Sequence, residues 1–125
     1  MPFHVCVYRR PPVASDSEID EAANLLLTEP MGTDGLFGEG WDVPSKELGL
    51  ELLARAYDAG LTVSGTSLDQ LADEVDVIDQ YWTATNFVDR YFADKSVADR
   101  LRQTIQSLRA AIELARAHQG HLIIS

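Results

Sequence analysis

The chain ends in the apolar stretch HLIIS, residues 121–125. An apolar chain terminus of this kind is ordered only when it docks on the rest of the protein. Its β-branched residues favour a strand, and a strand needs a partner strand for its backbone hydrogen bonds. The position of that partner strand therefore decides the fold.

The partner strand is predicted at the other end of the chain. The opening stretch FHVCVYRR, residues 3–10, alternates with a period of two and is stopped by two prolines. Neither face of this strand is strongly polar, so it fits the middle of a sheet. We predict that Phe3–Tyr8 and Leu122–Ile124 are neighbouring strands.

Helices are predicted between these strands, because apolar residues recur there every three or four positions. The predicted helices cover residues 15–28, 44–60, 66–82 and 96–118. Residues 83–94 either extend the third helix to about Tyr91 or interrupt it near Thr85 and Asn86. Residues 61–65 are predicted to form a brief strand or an extended linker, and the glycine-rich residues 31–42 an irregular loop.

The predicted fold class is α+β, with four or so helices packed on a small two- or three-stranded sheet formed by the N- and C-terminal strands. A chain of 125 residues is the size of one ordinary domain, so residues 1–125 are interpreted as a single domain. The lone cysteine, Cys6, suits a reducing compartment. No signal peptide or membrane-spanning stretch is recognised, so we expect a cytoplasmic protein without membrane contact.

The formal net charge is −10 and is distributed unevenly along the chain. Residues 11–79 contain sixteen acidic residues and two basic ones, a balance of −14. This region repels the phosphate backbone of nucleic acids, so no nucleic-acid partner is expected. It attracts a basic protein and raises the rate at which the two meet.

The most regular acidic segment is LDQLADEVDVIDQYW, residues 68–82. Its apolar residues predict one stripe that faces the core. The acids are expected to face solvent and to form a docking surface for a basic partner, with plain solvation as the alternative. These candidate binding residues are Asp69, Asp73, Asp76 and Asp79. Since folding does not require such a crowd of like charges, changing three of them to Asn is expected to leave the melting temperature unchanged or slightly raised.

A fifth candidate for partner binding is Trp41, in the glycine-rich residues 31–42. Large apolar side chains in such a segment either fill the core or form an exposed contact surface. The first interpretation is favoured, because large apolar side chains are usually buried. The second would make Trp41 a contact residue.

No catalytic residue, metal ligand or cofactor site is predicted. His118 and His121 have the spacing H-x-x-H, but a metal site needs further ligands and none lies nearby in the sequence. The glycines of residues 31–42 match neither a P-loop nor a dinucleotide-binding motif. Arginines at positions 102, 109 and 116 share one stripe of the last helix. We interpret this stripe as a solvated flank that pairs with the acidic helices and not as a phosphate-binding track.

The second half of the chain resembles the closing half of small bacterial immunity-type proteins, which pair with secreted antibacterial toxins. The resemblance rests on LTVSGTSLDQLADEVDVIDQYW and RAAIELARAHQGHLIIS and covers residues 61–125. It implies a protein that binds and blocks a toxin without chemistry of its own. The acidic balance fits a basic, nuclease-type toxin. No individual functional residue can be carried over.

We therefore expect a non-enzymatic binding protein that neutralises a cognate basic toxin or another basic protein. One alternative is a small-ligand or enzyme domain that uses residues 31–42. Another is a structural or regulatory homodimer that uses the last helix.

Overall fold

One antiparallel sheet runs through the described part of the chain, with the strand order β2-β1-β4-β3. The structure is a computed structural model and describes residues 2–9, 25–92 and 94–125. Its strands are β1 (Pro2–Tyr8), β2 (Leu25–Thr33), β3 (Leu61–Ser64) and β4 (His121–Ile124). The α+β fold class is confirmed, and the sheet has four strands where two or three were predicted.

The pairing of the two terminal strands is confirmed. Val5 lies opposite Ile124 and Tyr8 lies opposite His121 in the antiparallel register of β1 and β4. The other edge of β4 pairs with β3, where Leu61 lies opposite Ile124. The end of the chain therefore occupies the interior of the sheet, and residues 61–65 contain the brief strand that was one of their two interpretations.

The helix predicted over residues 15–28 is wrong in its last four residues, which belong to β2. Residues 15–24 lie outside the described part of the chain. Pro30, two residues beyond the end of that predicted helix, lies within β2. The register shifts there, so that Phe3 pairs with Gly32 and His4 with Pro30. An edge strand accepts proline at such an irregularity because no neighbouring strand needs its missing N–H.

The helical elements that the structure describes are α1 (Asp34–Phe37), a π-helical turn (Gly38–Asp42), α2 (Val43–Leu48), α3 (Leu53–Ala59), α4 (Thr66–Thr85), α5 (Phe87–Tyr91) and α6 (Lys95–Ala117). The prediction of an irregular loop over residues 31–42 is therefore wrong, because most of this segment is helical. The predicted helix over residues 44–60 is divided in two. Gly49 ends α2 in the left-handed region, with φ 70°, which favours glycine.

The two long helices form the layer that covers the sheet. α6 packs on β1, β2 and β4, and α4 packs on α6. Residues 83–94, which had two interpretations, do not continue α4 as one helix. α4 ends at Thr85, Asn86 takes a left-handed conformation, and α5 begins at Phe87. Asp94 caps α6 by accepting a hydrogen bond from the backbone N–H of Ser96 at 2.8 Å. At its other end α6 turns tightly into β4, and a Cβ at Gly120 would overlap the carbonyl oxygen of Tyr8.

We predict that Leu122→Ala lowers the free energy of unfolding by about 3 kcal/mol, the usual loss for a large core side chain. Leu122 is fully buried under the helices, whereas Ile123 points to the opposite face and is only partly buried. Ile123→Ala is therefore the matched control, with a smaller loss. Urea denaturation of both variants measures the difference. Equal losses would contradict the assignment of the two faces of β4.

Candidate functional site

Helix α4 presents a different chemistry on each of its sides. Its apolar stripe faces the core as predicted, and the stripe residues Leu68, Leu71, Val75, Ile78 and Trp82 are all buried. The polar residues of α4 lie on the remaining three sides, which the helical period of 3.6 residues separates. One side faces α6, one faces α3, and the third faces solvent.

On the side facing α6, the carboxylates are paired with arginines. Asp69 accepts a hydrogen bond from Arg116 at 2.7 Å. Arg109 reaches both Asp76, at 2.9 Å, and Asp79, at 3.1 Å. Both hydrogen bonds raise the pKa of the Arg109 guanidinium, and the hydrogen bond to Asp76 has the larger effect. The arginine stripe of α6 therefore pairs with the acidic helices, as the sequence interpretation held.

Three of the four predicted acids also form ion pairs within the chain. Asp69 and Asp76 are exposed and Asp79 is partly buried, and each lies within ion-pair distance of an arginine. Like charges repel along a helix, but opposite charges on a neighbouring helix offset that repulsion. Within the structure, these three carboxylates form ion pairs that link α4 to α6.

Asp73 is the exception in the predicted set. It lies on the solvent side of α4 and is exposed. Among the residues that the structure describes, no cation lies within ion-pair distance of it. Val77, one turn further along the same side, is 39% exposed. This side of α4 therefore offers a free carboxylate next to accessible apolar surface.

On the side facing α3, sequence reasoning missed the most important acid, Glu74. Its side chain is buried, with 6% of the residue exposed. Oε1 accepts hydrogen bonds from the backbone N–H groups of Leu52, at 3.1 Å, and Leu53, at 2.9 Å. Because the first N–H groups of a helix have no acceptor within it, the carboxylate caps α3 from a neighbouring helix.

A signal for this role was present in the sequence. Glu74 is three residues from Leu71 and four from Ile78, so it borders the core stripe, unlike Asp73. Its partners lie more than twenty residues away in the chain. No local pattern could identify them.

A glutamine extends this polar contact to the surface. The side-chain amide of Gln70 donates to Glu74 Oε2 at 3.2 Å and to Glu51 Oε2 at 3.4 Å. Glu51 is exposed and lies in the turn between α2 and α3. The neutral amide of Gln70 thus holds the carboxylates of Glu51 and Glu74 near each other. Asp73 lies one turn further along α4.

The two basic residues within residues 11–79, Lys46 and Arg55, both make polar contacts within the chain. Lys46 contacts Asp42 at 3.0 Å and Asp58 at 2.9 Å. Both hydrogen bonds raise the pKa of the Lys46 ammonium group, and the hydrogen bond to Asp58 has the larger effect. The Nε of Arg55 donates to the backbone carbonyl of Glu51 at 3.1 Å.

Trp41 lies in the core and has no exposed surface. Its Nε1 donates to Thr104 Oγ1 at 2.9 Å, and its ring meets that of Trp82 edge-on at 5.2 Å. A Cβ at Gly40 would lie 2.6 Å from a methyl carbon of Leu101, so glycine permits this close approach to α6. The favoured interpretation of Trp41 as a core residue agrees with this burial, and a partner cannot contact Trp41 in this fold.

The two histidines of the H-x-x-H spacing, His118 and His121, have different surroundings. His121 is buried, and its ring stacks on that of Tyr8 at 4.8 Å. His118 follows the end of α6 and is exposed. The register places Ser125, and not His121, next to His4. The described residues contain no group of three or more His, Cys, Asp or Glu side chains placed to hold a metal ion.

Comparison of the chain with family models, curated proteins and solved structures gives no match. Among the described helices, none is both long and apolar enough to cross a membrane.

We predict that Glu74→Ala lowers the free energy of unfolding by about 2 kcal/mol, because it removes a helix cap and leaves buried N–H groups without an acceptor. Asp73→Ala is the control, since it removes the adjacent but exposed carboxylate, and should change stability by less than about 0.5 kcal/mol. Chemical denaturation followed by circular dichroism measures both. A Glu74→Ala variant as stable as the control would show that the cap contributes nothing.

We also predict that the double variant Asp76→Asn/Asp79→Asn lowers the free energy of unfolding by up to about 1 kcal/mol at low ionic strength. A loss is expected for this variant because it removes the charge of both carboxylates that pair with Arg109. The loss should shrink in about 1 M salt, where exposed ion pairs are screened. Asp73→Asn, which breaks no ion pair with a described residue, should show no such loss, and equal behaviour of the two variants would refute the role of the pairing.

Proposed function

We propose that the protein is a non-enzymatic binding protein of the immunity type, which binds a basic toxin or a similar basic protein and blocks it. The observation that carries the proposal is the unpaired acidic surface beside α4. We define this acidic ridge by Glu51, Gln70, Asp73 and Val77. It combines carboxylates that have no ion-pair partner in the described structure with an accessible apolar side chain.

The acidic ridge suits a protein partner in two ways. Its carboxylates lie on ordered elements, since the hydrogen bonds of Gln70 tie the turn that carries Glu51 to α4. Val77 adds apolar area, which a protein interface needs at its centre. Complementary charge raises the association rate and discriminates against wrong partners more than it raises affinity.

The paired acids have a different part in this proposal. Asp69, Asp76 and Asp79 add to the long-range negative field, but a partner that binds them directly must first compete with Arg109 or Arg116. That competition makes them weaker contact residues than Asp73. Of the four predicted acids, only Asp73 is therefore kept as a main contact residue. Glu51, in the turn between α2 and α3, is added to it.

A blocking function needs no reacting group on this chain. An acidic surface that covers the cationic substrate site of a nuclease-type toxin would exclude the phosphate backbone by occupancy and by charge. The sequence resemblance to immunity-type proteins, which covers residues 61–125, includes α4 and α6 but not the turn that carries Glu51. The contribution of Glu51 is therefore a proposal from the geometry alone.

The experiment begins with affinity capture by the tagged chain from cells of the source organism, identification of the captured protein, and co-expression of that protein with this chain. The proposal predicts that a basic protein is captured, that it is toxic alone, and that co-expression protects the cells. It fails if the captured proteins are not basic, or if co-expression gives no protection.

The contact surface is tested with two variants of equal charge change. Glu51→Gln/Asp73→Asn should slow association with the captured protein about fivefold at low salt, because it removes two carboxylates that form no ion pair with the described residues and that steer and contact the partner. Asp69→Asn/Asp76→Asn removes two carboxylates that already pair with arginines, and should slow association less. Equal effects of the two variants would show that only net charge matters and that the acidic ridge is not the contact surface.

A further inference from the structure

A groove separates the edge strand β2 from the first half of α6, on the far side of α6 from its paired arginines. Its volume is about 540 Å³, within the range of small-molecule sites. One wall is formed by β2 and α1 and includes Glu29, Pro30, Thr33 and Leu36. The glycine-rich residues 31–42 supply part of this wall.

The wall formed by α6 is a single stripe of the helix. Val97, Arg100, Gln103 and Ser107 follow one another at intervals of three or four residues, so they line one face. Apolar contact is provided by Val97 together with Pro30 and Leu36 on the opposite wall. Polar side chains stand between these apolar residues, which is the usual composition of a site for an amphipathic small molecule.

Arg100 gives the groove its charge preference. The arginines on the other side of α6, at positions 102, 109 and 116, each contact carboxylates. Arg100 is exposed and makes no ion pair with any residue that the structure describes. The nearby Asp94 is occupied as the cap of α6, through Ser96.

Glu29 lines the opposite wall, so the groove lining carries one carboxylate beside its one arginine. The Glu29 carboxylate repels any anion in the groove, and at the same distance it repels a dianion about twice as strongly as a monoanion. The walls therefore match one anionic group attached to an apolar body.

We propose that this groove binds a small organic monoanion with an apolar body, of the class of a medium-chain carboxylate. The carboxylate contacts Arg100, and the chain of the molecule lies against Pro30, Leu36 and Val97. The site lies away from the acidic ridge, so it does not depend on the proposed binding of a basic protein.

The test uses octanoate and octanamide as probes, since they share an apolar chain and differ in charge. Isothermal titration with the full chain should show saturable binding of octanoate, about tenfold tighter than that of octanamide, because a charged hydrogen bond is the difference between them. Arg100→Gln should remove this preference. Lys95→Gln, which changes an exposed cation on the same helix outside the groove lining, should keep it.

Three outcomes would overturn the proposal: no saturable binding of octanoate, an equal affinity of the native chain for both probes, or a preference for octanoate that survives in Arg100→Gln. A third variant, Leu36→Asp, checks the apolar wall. It should weaken the binding of both probes, while circular dichroism confirms that the variant is folded. Binding that is unaffected in a folded Leu36→Asp chain would also contradict the proposed site.

Discussion

The carboxylate of Glu74 is the contact on which the arrangement of the helices depends. It lies in the interior and accepts hydrogen bonds from the N–H groups of Leu52 and Leu53, so it fixes the start of α3 against the side of α4. A hydrogen bond to a charged group contributes roughly 1.5–3 kcal/mol, and removal of the acceptor leaves buried donors unpaired. The turn that carries Glu51 is positioned by the same contact, which connects the packing of α3 to the proposed binding surface.

The acids of α4 serve different purposes because they lie on different sides of one helix. Glu74 stabilises the contact with α3, and Asp76 and Asp79 join α4 to α6 through Arg109. Asp73 has neither role. A helix that looks uniformly acidic in the sequence thus contains internal contacts on two sides and an exposed surface on the third. The high negative charge of the chain does not measure the charge available to a partner, since arginines of α6 offset part of it.

The sequence was sufficient for the elements whose signals are local or strongly periodic. The terminal strands follow from the alternation of their residues, and α4 and α6 follow from the three-and-four spacing of apolar residues. β2 was missed because its pattern resembles a helix and its proline is tolerated only at the edge of the sheet. The helical turns of residues 34–42 were missed because tertiary contacts, such as that of Trp41 with Thr104, stabilise a glycine-rich segment that has low helix propensity.

The candidate site was predictable only in part, for the same reason. Local spacing placed Asp73 on an exposed side of α4, but it could not pair Asp69 with an arginine forty-seven residues away. It also could not place Glu51 beside Gln70. The groove beside β2 needed the pairing of β1 with β2, which the sequence interpretation did not contain.

Amide hydrogen exchange at Leu52 and Leu53 shows whether a buried carboxylate of α4 holds the start of α3. We expect both amides to exchange slowly, with an opening free energy close to that of global unfolding. We also expect Glu74→Gln to accelerate the exchange of these two amides far more than that of amides in the middle of α6. Exchange of Leu52 and Leu53 at the rate of freely exposed amides in the unmodified protein would contradict this role of the Glu74 carboxylate.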